Sequence, residues 1–338
     1  PGVSYLANSN NQVGLVISAS HNLFEDNGIK FFNKDGQKFS SELEKRIETK
    51  LTQEMNGVES INLGKASRMS DAQGRYIEFC KSSFTDLDLN GLSIILDCAN
   101  GATYSVAPKV FSELGANIET IGASPDGINI NQNCGSTSPN ALKEAIIKGS
   151  YDIGIAFDGD GDRILIVNSD GDILDGDDIL FILSKEIPTN SGVVGTLMTN
   201  KALELYFQNE GIEFSRADVG DKYVLQRLIE RSWSLGGEPS GHIICLDSAP
   251  TGDAIVAALK LLNATKDKGF SIEKSLEGFQ KFPQTLINLK VNNPNKIIIS
   301  DKFWEKVTEI ELQLGEDGRV LIRPSGTEPL IRIMVESK

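Results

Sequence analysis

The segment that most constrains this chain is Asp158-Gly159-Asp160-Gly161-Asp162-Arg163, which directly follows an apolar strand predicted at residues 152–157. Three carboxylates at every second position, separated by flexible glycines, can be curled until one oxygen of each faces the same point. Such crowding is repulsive unless a cation lies between the oxygens, and Mg²⁺ prefers oxygen ligands. The sequence therefore predicts a magnesium site formed by Asp158, Asp160 and Asp162.

Other interpretations of this loop are weaker. A solvated Asp/Gly turn is possible, but strand ends seldom collect three carboxylates without a cation. An EF-hand does not fit, because its sixth position would be Arg163 rather than Gly and its twelfth Ser169 rather than Glu. A haloacid-dehalogenase-like phosphatase with Asp158 as nucleophile stays open as a weak alternative, although Asp162 stands where that motif has Thr or Val.

Composition narrows the class of protein. The 338 residues carry 47 Asp plus Glu against 33 Lys plus Arg, a net charge of −14, and no block of basic residues, which argues against a nucleic-acid partner. No apolar run approaches the ~18 residues of a membrane span. The scattered Cys80, Cys98, Cys134 and Cys245 indicate reduced thiols in a cytoplasm, and two histidines cannot form a His-rich zinc site.

The order of predicted elements is typical of parallel α/β sheets. Residues 92–121 and 193–214 each give a strand, an Asn-containing loop, a helix, a Gly turn and a strand. A strand is also predicted at residues 13–18 and a helix at residues 39–51, with Ser41 and Glu44 as a capping box. We further expect a hairpin at residues 164–174 that turns at Asp170-Gly171, and a helix at residues 302–314 followed by strands of a small α+β domain.

Three further segments carry side chains suited to catalysis or to ligand binding. Ser20 and His21 lie in a polar loop near Lys30, but no G-x-S-x-G elbow is present, so a nucleophile and a plain polar turn are equally consistent with it. The loop at residues 236–242 offers a carboxylate, a hydroxyl and an imidazole, from Glu238, Ser240 and His242, which suit sugar hydroxyls but also a structural loop.

The segment from Arg323 to Pro329, with Arg332 on the following strand, suits a phosphate. It combines two guanidinium groups, two hydroxyls and free backbone N–H groups at a Gly turn. The alternative is that both arginines pair with surface carboxylates. No Walker A, G-x-G-x-x-G or kinase motif is present, so nucleotide-driven transfer has no support.

Together these four segments, in this order, resemble the α-D-phosphohexomutase superfamily, with similarity from about Gly14 to Glu336. Flanking residues such as Gly195-Thr196-Leu197-Met198 favour the branch that acts on glucosamine phosphates. Ser18 does so too, because relatives that act on mannose or glucose phosphates more often carry Thr there. Leu23 departs from the family, which usually has Pro after His-Asn.

The resemblance implies an α/β, multidomain fold: three related α/β domains with mixed sheets and a smaller C-terminal α+β phosphate-binding domain around a central cleft. We expect a phosphoserine-loop domain at 1–85, a metal-binding-loop domain at 86–172, a sugar-binding-loop domain at 173–283 and the phosphate-binding domain at 284–338. The first is expected to be incomplete at its N-terminal side and the last at its C-terminal side.

The resemblance also implies roles for individual residues. Ser20 would carry the transferable phosphoryl group and give an oxygen to one Mg²⁺ per chain, held by Asp158, Asp160 and Asp162. The groups near the reacting phosphoryl would be His21, Lys30 and Arg163, with Lys30 moving the proton at a pKa lowered by nearby cations. Sugar hydroxyls would be held by Glu238, Ser240 and His242. The non-reacting phosphate would be held by Arg323, Ser325, Gly326, Thr327 and Arg332.

The implied activity is an intramolecular phosphotransfer, an isomerase reaction between glucosamine 6-phosphate and glucosamine 1-phosphate. It would pass through a glucose or glucosamine 1,6-bisphosphate intermediate or activator and feed UDP-N-acetylglucosamine and cell-wall precursor synthesis. The alternatives are a sister enzyme for mannose or glucose phosphates, a metal-dependent phosphatase, and a non-catalytic sugar-phosphate sensor. A sugar phosphate is the expected partner, no membrane or nucleic acid is expected, and a homodimer is left open.

Overall fold

The computed structural model describes residues 1–54, 57–291, 301–324 and 330–338, which form two compact units. The first unit comprises Pro1–Gly176 and Ser240–Phe270, and the second comprises Asp177–Pro239 and Ser271–Lys338. Within the described residues, no helix has both the length and the apolar character needed to cross a membrane.

The helices and strands are defined by the following bounds. The helices are α1 (Gly2–Asn10), α2 (Ser41–Leu51), α3 (Ala72–Ser82), α4 (Ala107–Glu113), α5 (Asn140–Lys148), α6 (Gly176–Ser184), α7 (Lys201–Glu210), α8 (Asp221–Arg231), α9 (Ala254–Thr265), α10 (Ile272–Leu276) and α11 (Asp301–Leu314). The strands are β1 (Gly14–Ser18), β2 (Gly28–Phe32), β3 (Ser93–Asp97), β4 (Asn117–Ile121), β5 (Ile153–Phe157), β6 (Ile164–Asn168), β7 (Ile173–Leu174), β8 (Gly192–Thr196), β9 (Glu213–Ala217), β10 (Leu235–Gly237), β11 (Ile243–Cys245), β12 (Gln284–Lys290), β13 (Gly318–Pro324) and β14 (Leu330–Ser337).

The core of the first unit is a mixed sheet with the strand order β4-β3-β5-β6-β7. Strand β3 is parallel to β4 and β5, whereas β6 is antiparallel to β5 and β7. Every residue of β5 is buried, as expected for a continuous apolar strand with neighbours on both sides. The carboxyl end of this central strand leads directly into the three-aspartate loop. A second pair in this unit, β1 and β2, is antiparallel.

The local sequence predictions for these elements are largely confirmed. Strand β1, the strand–helix–strand order of β3-α4-β4 and β8-α7-β9, the β6–β7 hairpin and helix α11 all form where the patterns place them. Asn200 caps α7 by accepting a hydrogen bond from the Ala202 N–H, and Gly211 ends that helix at a φ of 69°. The four cysteines are buried free thiols, as expected for reduced cysteines.

Three features differ from the sequence prediction. The N-cap of α2 is Ser40, whose side chain accepts from the Leu43 N–H at 3.3 Å, so the expected capping box at Ser41 is displaced by one residue. Helix α1 was not predicted, because its sequence GVSYLANSN has few strong helix formers. Strand β2 is five residues long and becomes recognisable through its pairing with β1, in which Lys30 lies opposite Val16.

The second unit contains parallel strands in the order β10-β8-β9 and an antiparallel sheet in the order β12-β14-β13. Glu336 of β14 is fully buried and binds the turn that precedes α7. Its Oε1 atom accepts from the Lys201 N–H at 2.9 Å and pairs with Arg319, whose Nη2 donates to the Thr199 carbonyl oxygen at 2.7 Å. This charged contact anchors the antiparallel sheet to the α/β part of its own unit.

Replacing Glu336 with alanine is expected to lower the free energy of unfolding by about 3–5 kcal/mol, because it leaves the Arg319 charge in a desolvated position without its acid. Urea denaturation measures this value. Glu309→Ala is the matched control, since Glu309 pairs with Lys306 on the exposed side of α11 and such pairs contribute at most ~1 kcal/mol. Equal losses in the two variants would contradict the anchoring role of Glu336.

Candidate active site

The three-aspartate loop is folded back on itself by its own first residue. The Oδ1 atom of Asp158 accepts hydrogen bonds from the backbone N–H groups of Asp162 and Arg163, both at 3.0 Å. Gly161 adopts a φ of +72°, a left-handed conformation that favours glycine. The turn therefore brings alternate side chains to the same side, as the spacing predicts.

The three carboxylates converge in the interior. One oxygen of Asp158, Asp160 and Asp162 lies within 4.8 Å of one oxygen of each of the others, and all three residues are buried. Asp158 Oδ2, Asp160 Oδ1 and Asp162 Oδ1 have no hydrogen-bond partner in the part of the chain that the structure describes. Buried, unsatisfied carboxylate oxygens that converge fit a divalent cation with oxygen ligands.

The pKa values of two of these carboxyls move in opposite directions. Burial, followed by the charges of Asp162 and Asp160, raises the pKa of Asp158 well above its usual range. Burial also acts to raise the pKa of Asp162, but His242 and Lys30 outweigh it and hold that pKa below the usual range. Lys30 and His242 both lie beside Asp162, which accounts for the lowered pKa of that carboxyl.

Lys30 connects the serine loop to the three-aspartate loop. Its Nζ atom donates to Ser20 Oγ at 3.3 Å and to Asp162 Oδ2 at 3.1 Å, and it also pairs with Asp160. Because Lys30 lies on β2 and Ser20 directly follows β1, the antiparallel pairing of these strands places the amine beside the hydroxyl. Four residues from two segments that the sequence analysis singled out are thus brought together.

The pKa values of two basic groups of this site, Lys30 and His21, are shifted. The lowering of the Lys30 pKa expected from nearby cations stays a prediction; burial acts in that direction, but Asp162 and Asp160 raise this pKa above its usual value. The reason is that the nearest charges to the amine are carboxylates rather than cations. Burial, followed by the charge of Arg163, lowers the pKa of His21, which favours the neutral imidazole.

Three loops are in close backbone contact around Ser20: the loop that contains Ser20, the three-aspartate loop and the loop that follows β3. A Cβ atom on Gly159 would lie 2.4 Å from the Ser20 carbonyl oxygen, and a Cβ atom on Gly101 would lie 2.2 Å from the Gly159 carbonyl oxygen. Neither position has room for a side chain. Sequence reasoning did not single out Gly101, and its only signal is its place in the loop that follows β3.

The residues expected to hold the sugar are divided between the units. Glu238 belongs to the second unit, where its Oε1 atom accepts from the Gly220 N–H at 2.9 Å. Ser240 and His242 belong to the first unit, and His242 is buried with Nδ1 3.9 Å from Asp162 Oδ1. His242 therefore lies beside the three-aspartate loop, and the role of these residues towards a sugar stays a prediction.

The two arginines expected to hold a phosphate are neighbours. Arg323 on β13 and Arg332 on β14 lie directly opposite each other in the antiparallel register. Like charges at opposed positions are destabilising, and a bound anion would relieve this. Ser325, Gly326 and Thr327, which complete the predicted motif, lie outside the described residues.

The chain belongs to the phosphoglucomutase/phosphomannomutase family. Models of all four domains of this family match it: the alpha/beta/alpha domain I at residues 1–57, domain II at residues 74–171, domain III at residues 175–282 and the C-terminal domain at residues 286–338. This confirms the superfamily and the multidomain α/β class suggested by the sequence motifs, whereas the boundaries near 85, 172 and 283 stay predictions.

More particularly, the chain is 52% identical over 342 residues to the phosphoglucosamine mutase of Legionella pneumophila (strain Corby), covering 99% of this chain and 75% of that relative. Among solved structures, a phosphoglucomutase/phosphomannomutase family protein from Burkholderia thailandensis has a TM-score of 0.76 at 25% identity, covering 96% of this chain and 72% of that one. The N-acetylphosphoglucosamine mutase of Aspergillus fumigatus, in complex with GlcNAc-6P and magnesium, shares the fold, with a TM-score of 0.75 at 18% identity over 99% of this chain and 88% of that one.

Proposed function

We propose that this chain interconverts glucosamine 6-phosphate and glucosamine 1-phosphate by way of a phosphorylated Ser20. The observation that carries the proposal is the contact of Lys30 Nζ with Ser20 Oγ and with the carboxylates of Asp160 and Asp162. It places a hydroxyl that can carry a phosphoryl group beside a cation and a cluster of acids suited to a metal. The 52% identity to a phosphoglucosamine mutase supports this choice of substrate.

The proposed reaction requires Ser20 Oγ to give its phosphoryl group to a free sugar hydroxyl, forming a 1,6-bisphosphate, and to receive the other phosphoryl group after the sugar turns over. In the first transfer the P–Oγ bond breaks and a bond from phosphorus to the sugar oxygen forms. Such transfer depends mainly on positioning and charge neutralisation. Lys30 Nζ, 3.3 Å from Ser20 Oγ, can give a proton to the departing Oγ and take up the proton that the sugar hydroxyl releases, and the reverse exchange occurs when Ser20 is phosphorylated again.

Other groups of the site have supporting roles in this proposal. Asp158, Asp160 and Asp162, with an oxygen of phosphorylated Ser20, would hold one Mg²⁺, which supplies charge neutralisation when bound. Arg163 and His21 would face the transferred group. Outside this cluster, Glu238, Ser240 and His242 would bind sugar hydroxyls, and Arg323, Ser325, Gly326, Thr327 and Arg332 would bind the non-reacting phosphate.

Several further features of the proposal rest on the resemblance. They are glucose or glucosamine 1,6-bisphosphate as intermediate or activator, a cytoplasmic location, and supply of UDP-N-acetylglucosamine and cell-wall precursors. Homodimer formation stays open.

The test is an isomerisation assay with Mg²⁺ and glucose 1,6-bisphosphate in which glucosamine, glucose and mannose phosphates compete. We expect the highest kcat/KM with glucosamine 6-phosphate. Preference for mannose or glucose 6-phosphate would point to a sister enzyme of the same family. Release of free phosphate without isomerisation would favour the phosphatase, and binding without turnover would favour the sensor.

Replacing Arg323 and Arg332 together with glutamine is expected to raise KM for glucosamine 6-phosphate at least about 100-fold, because two charge-assisted hydrogen bonds to phosphate contribute roughly 1.5–3 kcal/mol each. Steady-state kinetics measures the change. Arg227→Gln is the control, since Arg227 pairs with Glu230 on the surface of α8 and should leave KM unaltered. An unchanged KM in the double variant would place the phosphate elsewhere.

A further inference from the structure

Asn131, in the loop between β4 and α5, binds the backbone of the serine loop. Its buried Nδ2 donates to the carbonyl oxygen of Ser20 at 2.8 Å and to that of Asn22 at 2.7 Å. The two carbonyls flank His21. The side-chain amide of Asn131 therefore binds both ends of the three-residue segment 20–22.

This restraint acts where the backbone of the serine loop is strained. Ser20 has a φ of +53°, which lies in the left-handed region. This conformation costs residues other than Gly and Asn roughly 1–2 kcal/mol. The Ser20 N–H donates to Ser18 Oγ at 2.9 Å, which holds the other side of the same residue. The backbone conformation sets the direction of the Ser20 Cα–Cβ bond, so a group that holds the backbone also sets which part of the site Oγ can reach.

Asn131 is itself firmly held. Its backbone N–H donates to the Ala99 carbonyl oxygen at 2.8 Å. Asp97, at the carboxyl end of β3, accepts from the Ala99 N–H at 3.0 Å through Oδ1 and from the Gly135 N–H at 2.7 Å through Oδ2. Two successive hydrogen bonds, from Asn131 to Ala99 and from Ala99 to Asp97, thus connect the residue that binds the serine loop to the central sheet.

We propose that Asn131 is a positioning residue that holds Ser20 in its left-handed conformation, so that Oγ faces Lys30 and the three-aspartate loop. The proposal rests on the phosphoryl-carrying role of Ser20 given above. It adds a residue from a different loop, whose side-chain amide binds the carrier through the backbone carbonyl oxygen of Ser20.

Two substitutions test this role. Asn131→Asp keeps the shape of the side chain but cannot donate, and it sets a carboxylate against two carbonyl oxygens. Asn131→Gly suits the left-handed backbone at this position, where φ is 56°, and removes the amide entirely. Asn133 provides the matched control, because it lies in the same loop with a φ of 55° and an exposed side chain.

The first readout is kinetic. We expect both Asn131 variants to lower kcat for glucosamine 6-phosphate about 100-fold, the loss typical of an ~1 Å misplacement, with KM changed by less than about threefold. Intact-mass spectrometry should show the same slowing in phosphorylation of Ser20 by glucose 1,6-bisphosphate. Asn133→Asp and Asn133→Gly should match the unsubstituted chain in both measurements.

The second readout needs no turnover. Amide hydrogen exchange in a peptide covering residues 18–23 should become at least about tenfold faster in Asn131→Gly, and should not change in Asn133→Gly. Equal kinetics and equal exchange in the Asn131 and Asn133 variants would overturn the positioning role and leave the proposed function intact. An unsubstituted chain that neither isomerises the sugar phosphate nor phosphorylates Ser20 would instead overturn the proposed function, while exchange still tests the restraint.

Discussion

Replacing Ser20 with alanine is expected to reduce the turnover of glucosamine 6-phosphate by at least about 10⁴-fold, because the reaction then has no oxygen to carry the phosphoryl group. The other groups of the site would remain in place. Substrate should still bind with a dissociation constant close to that of the unsubstituted chain. Steady-state kinetics gives the loss, and intact-mass spectrometry should show that the variant gains no phosphoryl group from glucose 1,6-bisphosphate.

The control for this variant must replace a serine that has the same left-handed backbone conformation as Ser20. Ser232, the residue after α8, has a φ of 56° against 53° for Ser20, and its side chain is exposed. Serine already bears the cost of a left-handed backbone at both positions and alanine bears a similar cost, so neither substitution should change stability much, while Ser232→Ala keeps full activity. If Ser20→Ala retained more than a tenth of the activity, Ser20 would not be the phosphoryl carrier.

Removal of divalent cations is the second change with a large expected effect. Chelation by EDTA should reduce turnover at least about 10³-fold, and added Mg²⁺ should restore it, because a bound cation contributes several kcal/mol of charge stabilisation to such transfers. Asp160→Asn keeps the shape of the loop but replaces an anionic ligand with a neutral one. We expect it to weaken Mg²⁺ binding at least about tenfold.

Isothermal titration calorimetry with MgCl₂ follows this binding independently of activity. Asp170→Asn is the control, since Asp170 is an exposed carboxylate in the neighbouring β6–β7 turn. Full turnover in EDTA would contradict the metal role of the loop, and so would an unaltered Mg²⁺ affinity in Asp160→Asn.

The parts of the site that depend on nearby residues were predictable from the sequence. The convergence of Asp158, Asp160 and Asp162 follows from alternation and intervening glycine within five positions, and the structure confirms it. The opposition of Arg323 and Arg332 similarly follows from two adjacent strands joined by a short segment. Such features can be predicted from local chain geometry alone.

The parts that depend on contacts between distant segments were not predictable from residue patterns. Lys30 contacts Asp160 across 130 positions, whereas the sequence pattern placed Lys30 only near the loop that contains Ser20. The direction of its pKa shift likewise depends on which charges the fold places beside the amine, here those of Asp162 and Asp160. Asn131 was missed, although an Asn-rich loop, in which residues 131 and 133 adopt positive φ, is a signal for left-handed backbone.

The backbone contacts of Gly101, Gly159 and Ser20 also limit how this enzyme could diversify. Since backbone atoms meet there with no room for a Cβ atom on either glycine, Ser20, the proposed phosphoryl carrier, and the three-aspartate loop form one block that substitution can break but not reshape. A descendant with a new sugar preference would have to acquire it through residues outside that block, while the chemistry of transfer stays fixed.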